Sequence, residues 1–253
     1  GFARGKKNKL LSKTRLSKFF KINKFDIIIY LSAITNIDRC EKFQTEANNV
    51  NFNNLKKIYF ASFEKENKPL YIFLSTDQFY NNYKNNTEKE NKSLNYYTKT
   101  KLFSENFLKS KNAIILRTNF FGKSLNKNRK SFSDNIYYNL KTNKKIYLAN
   151  DILFSPLSIN TLCKIISICC KKKIIGKFNV GSKKGFSKYK FGIDFAKRLA
   201  LNLKLINKVN YNDLKFKTKR PKDMRMKLKN FEKNYNFNFP DLKSQIAMVS
   251  DDY

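Results

Sequence analysis

The chain has 253 residues and a formal charge of +34, with 53 Lys or Arg against 19 Asp or Glu and no His. Its length, with 41% apolar and 15% aromatic residues, argues for a globular protein with a real core. The charge excess is 45 Lys against 8 Arg spread over the whole chain, whereas a nucleic-acid surface concentrates charge and favours Arg, so no nucleic-acid partner is expected. There is no secretory signal and no apolar run of about 18 residues, so no membrane segment is expected. Cys40, Cys163, Cys169 and Cys170 show no metal-ligand spacing, so no metal is expected and a reducing, cytoplasmic setting is the default.

In chain order, Gly1 to Lys9 is basic and shows no strand pattern. Ser12 can cap a short helix through Phe20, and Asp26 to Leu31 reads as a strand that ends in the small and polar residues Ser32-Ala33-Ile34-Thr35. Ala47, Val50, Leu55, Ile58 and Ser62 recur at helical spacing and predict one helix from Gln44 to Glu64. Pro69 breaks the chain before a short apolar run, Leu70 to Leu74, which stops at Ser75-Thr76-Asp77. That is the pattern of a buried parallel strand with functional groups at its carboxyl end.

The segment after Asn95 has helical composition and sets Tyr97 and Lys101 one turn apart on one face. A further strand spans Ala113 to Leu116, followed by Arg117-Thr118-Asn119-Phe120. Next come a helix from Phe132 to Lys141, extended pieces at Ile146 to Leu148 and Phe154 to Ser158, a helix from Thr161 to Lys172, and a strand at Phe178 to Val180. From Ser187 the pattern changes to an amphipathic helix, a short extended piece at Ile206 to Val209 and a terminal helix after Pro240. Alternating strands and helices imply a parallel sheet with right-handed crossovers. The expected fold class is therefore α/β, a Rossmann-like parallel sheet with a small C-terminal α/β lobe. Residues 1–182 are assigned to the nucleotide-binding domain and 183–253 to the lobe, with parts of 123–160 contributing to the latter.

A Tyr and a Lys at this spacing have a chemical use. A phenol with a pKa of about 10 becomes useful in proton transfer near neutrality when a cation favours its ionised form, and a hydroxyl from Thr76 or Ser75 can hold a substrate oxygen beside it. Spacing alone is not diagnostic, because Tyr80/Lys84, Tyr137/Lys141 and Tyr211/Lys215 share it. Only Tyr97/Lys101 lies downstream of a strand ending in hydroxyl residues.

The stretches Asp-Ile-Ile-Ile-Tyr-Leu-Ser-Ala-Ile-Thr-Asn-Ile-Asp-Arg-Cys-Glu at 26–41, Leu-Ser-Thr-Asp-Gln-Phe-Tyr at 74–80 and Asn-Tyr-Tyr-Thr-Lys-Thr-Lys-Leu at 95–102 carry a resemblance. With Leu-Arg-Thr-Asn-Phe-Phe-Gly at 116–122, Phe-Ser-Pro-Leu at 154–157 and Arg-Pro-Lys-Asp at 220–223, they follow the order of the extended short-chain dehydrogenase/reductases. Within that superfamily the chain most resembles the dTDP-4-dehydrorhamnose reductase family of sugar-nucleotide-binding proteins.

The resemblance implies an NADPH- or NADH-dependent reduction of a nucleotide-activated 4-keto-sugar. Tyr97 is then the proton donor, Lys101 the cation that lowers the Tyr97 pKa and bonds the nicotinamide ribose, and Thr76 the residue binding the reacting oxygen. Ser32, Ala33, Thr35, Ser75 and Asn119 fall on the cofactor side. Asp77, Phe120 and Arg220 fall on the substrate side, where Arg220 either anchors the lobe or meets phosphate. Asp38 and Glu41 read as a helix-start charge pattern.

An epimerase or dehydratase of the same superfamily, and a non-catalytic sugar-nucleotide-binding subunit, remain alternatives. A homodimer is compatible with the sequence, which does not fix the oligomeric state. The family opens with a strand and a Gly-rich turn that meets the cofactor pyrophosphate, and nothing upstream of Asp26 matches it. The expectation is an N-terminally truncated chain that binds dinucleotide poorly.

Overall fold

The computed structural model describes residues 12–63, 68–83, 86–126 and 130–253. Helix α1 (Lys13–Ile22) starts at Ser12, whose side chain accepts from the Arg15 amide, and leads into strand β1 (Ile27–Tyr30). After α2 (Ile37–Lys42), the helix expected from Gln44 to Glu64 runs unbroken to Ser62 as α3 (Gln44–Asn48), a widened π turn at Asn49–Asn53 and α4 (Asn54–Ser62); Glu64 lies outside the described residues. The widened turn has a tertiary cause. Asn51 is 1% exposed, and its side chain accepts from the Ile34 amide (2.7 Å) and donates to the Ile34 carbonyl (3.2 Å) and the Thr100 hydroxyl (3.0 Å). The π turn brings this amide to the backbone of the loop after β1, a need that apolar periodicity cannot reveal.

Strand β2 (Leu70–Leu74), helix α5 (Tyr96–Leu108), strand β3 (Ala113–Thr118) and the short strand β4 (Phe120–Phe121) follow. After α6 (Phe132–Lys141) and β5 (Ile146–Ala149), the extended stretch around Pro156 forms two short strands, β6 (Leu153–Phe154) and β7 (Leu157–Ser158). Helix α7 (Ile159–Lys172) begins two residues before the expected Thr161, because Ser158 caps it by accepting from the Thr161 amide. The chain closes with β8 (Gly176–Val180), β9 (Phe186–Ser187), α8 (Lys188–Arg198), β10 (Ile206–Val209), α9 (Lys229–Tyr235) and α10 (Leu242–Ser250).

The main sheet is β1-β2-β3-β8, and each neighbouring pair is parallel. Its central strands are covered on both faces, which is why they read as continuous apolar runs. Ile72, Ile114 and Leu116 face a core shared with α7 and α9 through Leu162, Ile165 and Phe231. Tyr71, Phe73 and Ile115 face the opposite core, built on α1 and α4 through Leu16, Phe20, Leu55 and Tyr59.

A separate core gathers Phe121, Ile136, Leu148, Phe154, Phe191, Phe195 and Ile246, joining segments from both sides of β8. Within it β10 pairs in parallel with β5, and β9 runs antiparallel to β6. At Gly181, just past β8, a Cβ would lie 2.7 Å from the Ser155 carbonyl oxygen, so only glycine lets the strand end pass that close to β6. Among the described residues no helix is long and apolar enough to cross a membrane, and no cluster of acidic or Cys residues could hold a metal ion.

Candidate active site

The carboxyl ends of the parallel strands lead into Ser32-Ala33, Ser75-Thr76-Asp77, Asn119-Phe120 and Gly181-Ser182. Against them stands α5, whose start is set by a capping box. Asn95 accepts from the Thr98 amide (3.0 Å), while the Thr98 hydroxyl accepts from the Asn95 amide (3.3 Å). Glu41 adds to it, its carboxylate accepting from the Tyr96 amide at 2.9 Å, so this acid serves the start of α5 rather than that of its own helix.

These contacts fix Tyr97 two residues beyond the cap. Its side chain is buried, and its phenol lies near enough to the Thr76 hydroxyl for Thr76 to hold its pKa down. The Thr76 oxygen in turn accepts from the Gln78 amide at 3.2 Å. A threonine hydroxyl has one proton and two lone pairs, so Thr76 can accept from Gln78 and still donate to or accept from the phenol. Burial raises the Tyr97 pKa above the ordinary phenol value; the Thr76 hydroxyl works against this, and the charge of Asp77 adds to it.

The Lys101 ammonium sits against partners other than the phenol. It donates to the Leu74 carbonyl at 2.5 Å and lies 4.2 Å from the centre of the Phe73 ring. Burial lowers its pKa to about 7, and the Glu105 carboxylate one turn along α5 opposes that shift. A phenol is protonated at neutral pH even at its ordinary pKa and burial reinforces this, while the Lys101 amine, lowered to about 7, is poised to titrate there.

Asp77 is 1% exposed, and its pKa is pushed up to about 6 by burial, against the bonds from Asn119 and Gln78 and the charge of Lys188. The Asn119 side chain donates to it at 3.0 Å. Thr76, Tyr97, Asp77 and Asn119 are thus brought together, and Phe120 beside them is 48% exposed. Ser75 is turned under the site, its hydroxyl donating to Glu105. Ser32 and Ala33 are half-buried and Thr35 is exposed, on the loop that Asn51 ties down. The Arg220 guanidinium meets Asp38 at 2.9 Å and stacks 4.5 Å from the centre of Phe216, so it bridges the C-terminal region to the start of α2.

Several residues of this site escaped sequence reasoning. Asn51 gives no signal in an Asn-rich chain. Lys188, whose pKa burial and Arg220 lower to about 8, is one lysine among 45. Arg117 and Glu105 could have been found, the first as a charge in an apolar strand, the second one helical turn after Lys101.

The fold is a Rossmann-like α/β fold with a four-stranded parallel main sheet, shared with solved reductases. Residues 3–253 match the family model of the RmlD substrate binding domain, and the chain belongs to that family. Among solved structures it is similar to the dTDP-4-dehydrorhamnose reductase of Bacillus anthracis in complex with NADP, at 20% identity and a TM-score of 0.85 over 96% of this chain and 86% of that one. The ortholog from Clostridium acetobutylicum is 22% identical with a TM-score of 0.84, covering 95% of this chain and 85% of its own. A dTDP-glucose 4,6-dehydratase of Streptomyces venezuelae with NAD bound gives 13% identity and a TM-score of 0.76, over 95% and 76% of the two chains. No curated protein matches the chain in sequence.

Proposed function

We propose that this protein reduces the keto group of a nucleotide-activated 4-keto-sugar, with NADPH or NADH as reductant and Tyr97 as proton donor. The observation that carries this reading is the convergence of buried Thr76, Asp77 and Tyr97 with Asn119 at the carboxyl edge of the parallel sheet. A protonated phenol suits reduction, in which the sugar oxygen must gain a proton, better than the reverse reaction, which needs a base.

The residues present fit the nicotinamide end of a dinucleotide. Asn51 holds the backbone at Ile34 and leaves small side chains at Ser32 and Ala33 on a half-buried surface beside β2. They fit the pyrophosphate end poorly, because the seven glycines, at 1, 5, 122, 176, 181, 185 and 192, do not include a glycine-rich turn between a strand and a helix. The cofactor supplies the hydride. Tyr97 gives its proton to the sugar oxygen, Thr76 orients the phenol, and Lys101 is the cation one turn away that balances the phenolate left behind. Asp77 and Asn119, bonded to each other, line the same edge.

A second reading, a sugar-nucleotide-binding subunit without turnover, is favoured by the engagement of the Lys101 amine with the Leu74 carbonyl. One pair of measurements separates the readings. Titration with dTDP by calorimetry tests nucleotide binding, and consumption of millimolar NADPH or NADH with a dTDP-4-keto-6-deoxy-sugar tests reduction. Net consumption that Tyr97→Phe abolishes supports the reductase; binding without consumption supports the subunit; product formation without net consumption supports an epimerase.

A further inference from the structure

Beneath the site lies a buried polar network that the proton transfer itself does not use. The Arg117 guanidinium, fully buried in β3, donates to Glu105 through Nε (2.9 Å to Oε1) and Nη2 (2.6 Å to Oε2). Glu105 is 2% exposed and also accepts from the Ser75 hydroxyl at 2.5 Å. The remaining Arg117 donors reach the Tyr80 hydroxyl (3.1 Å), the Glu90 carbonyl (2.5 Å) and the Asn91 side chain (2.7 Å). Tyr80 donates to Asn179 in β8, and Asn179 donates to the Lys227 carbonyl at 3.1 Å.

Two links in this network bear on the chemistry. Ser75 immediately precedes Thr76, so a bond from Ser75 to Glu105 ties the end of β2 to α5. Glu105 stands one turn after Lys101 and two turns after Tyr97 on that helix. The strand that carries the hydroxyl and the helix that carries the phenol and the amine are therefore joined through one carboxylate, itself held by a bidentate guanidinium.

We propose that Glu105, clamped by Arg117, is a positioning residue for the Thr76–Tyr97–Lys101 trio. It sets the distance between the end of β2 and α5, and it supplies the negative charge that faces the Lys101 ammonium. The groups around Lys101 account for that second role. Phe73 and the Leu74 carbonyl of β2 are uncharged, and Glu105 is the acid beside it on α5. The cations Arg117 of β3, at 2.6 Å, and Lys177 of β8, at 3.6 Å, also pair with that carboxylate. This inference rests on the reading of the trio as the reacting groups, but its central test does not depend on turnover.

The test uses the full chain and two variants. Glu105→Gln keeps the shape and an acceptor for Ser75 but removes the charge; Ser75→Ala keeps the charge and removes the link to β2. The Lys101 amine is followed by 15N NMR of the lysine side chains between pH 5 and 10, assigned by its loss in Lys101→Met. The expected result is a Lys101 midpoint about one pH unit lower in Glu105→Gln, and unchanged in Ser75→Ala.

In steady-state assays Ser75→Ala is expected to lower kcat about tenfold with KM within about twofold, while Glu105→Gln shifts the pH profile in step with the Lys101 midpoint. An unmoved Lys101 midpoint in a folded Glu105→Gln overturns the proposal, as does wild-type kcat in Ser75→Ala. Should Glu105→Gln fail to fold, Ser75→Ala decides. A chain that shows the NMR shift but no turnover keeps the link between Glu105 and the Lys101 charge and refutes the reductase reading.

Discussion

The floor and the rim of the cleft are each held by an arginine–carboxylate pair, and the two pairs differ in kind. On the floor, the Arg117 and Glu105 side chains are 0% and 3% exposed, and both ends are bonded repeatedly. On the rim, Arg220 and Asp38 are 27% and 39% exposed, joined through a single Nη2–Oδ2 contact, with Arg220 Nε and Asp38 Oδ1 both buried and without a partner. A pair taken out of water needs its lone pairs and protons satisfied, as those of the floor are, whereas the rim pair is partly screened by solvent and leaves two buried polar atoms unpaired among the described residues. The rim therefore retains polar groups for which a change of partner costs less.

The largest expected effect breaks the floor. Arg117→Met leaves Glu105 buried and uncompensated, and should cost about 3–5 kcal/mol in urea unfolding at pH 7. A loss under about 1 kcal/mol would mean that the floor is no more rigid than the rim.

Next in size is the pH dependence of Lys101. A lysine whose folded pKa of about 7 lies below its ordinary value of 10.5 contributes stability that is present above the unfolded pKa and is lost as pH falls toward the folded one. The melting temperature should therefore rise between pH 7 and pH 9.5, and Lys101→Met should flatten that rise while abolishing reduction. Asp77 has the opposite sign: its raised pKa makes stability fall as pH rises from about 4 to about 6, so Asp77→Asn should remove that slope.

At the rim the effects are smaller. Arg220→Gln should weaken dTDP binding about tenfold in calorimetry, the loss of one charge-assisted hydrogen bond, if Arg220 turns from Asp38 to the diphosphate. Unchanged affinity would leave Arg220 as an anchor of the C-terminal region only. The smallest change is expected for Asp38→Asn, whose stability should stay within about 1 kcal/mol of wild type. A larger loss would place the rim in the same category as the floor.

The legible parts of the fold were those governed by local pattern. The runs Leu70 to Leu74 and Ala113 to Leu116 are strands because they are buried on both faces, and Ser12, Ser187 and Asp241 start helices because a side-chain oxygen meets a free amide there. The helix expected from Gln44 to Glu64 is present as far as Ser62, but its widened π turn was not legible because Asn51 answers to Ile34 and Thr100, which lie 17 and 49 residues away in sequence. Tyr97 and Thr76 could be paired from their motifs, and the structure brings the two close together. The direction of the phenol's pKa could not be anticipated, since it follows from how much protein surrounds the ring.

The sequence by itself determined the order of strands and helices, the parallel sheet and the stretch in which a phenol, an amine and a hydroxyl recur in the family's arrangement, because periodicity, caps and turn residues act within a few positions of each other. Only the tertiary structure decided which charges are buried together, that Lys101 meets the Leu74 carbonyl, that Ser75 is held by Glu105, and that Arg220 faces Asp38. Those outcomes depend on desolvation and on contacts between segments distant in the chain, and neither quantity is written in any single stretch of residues.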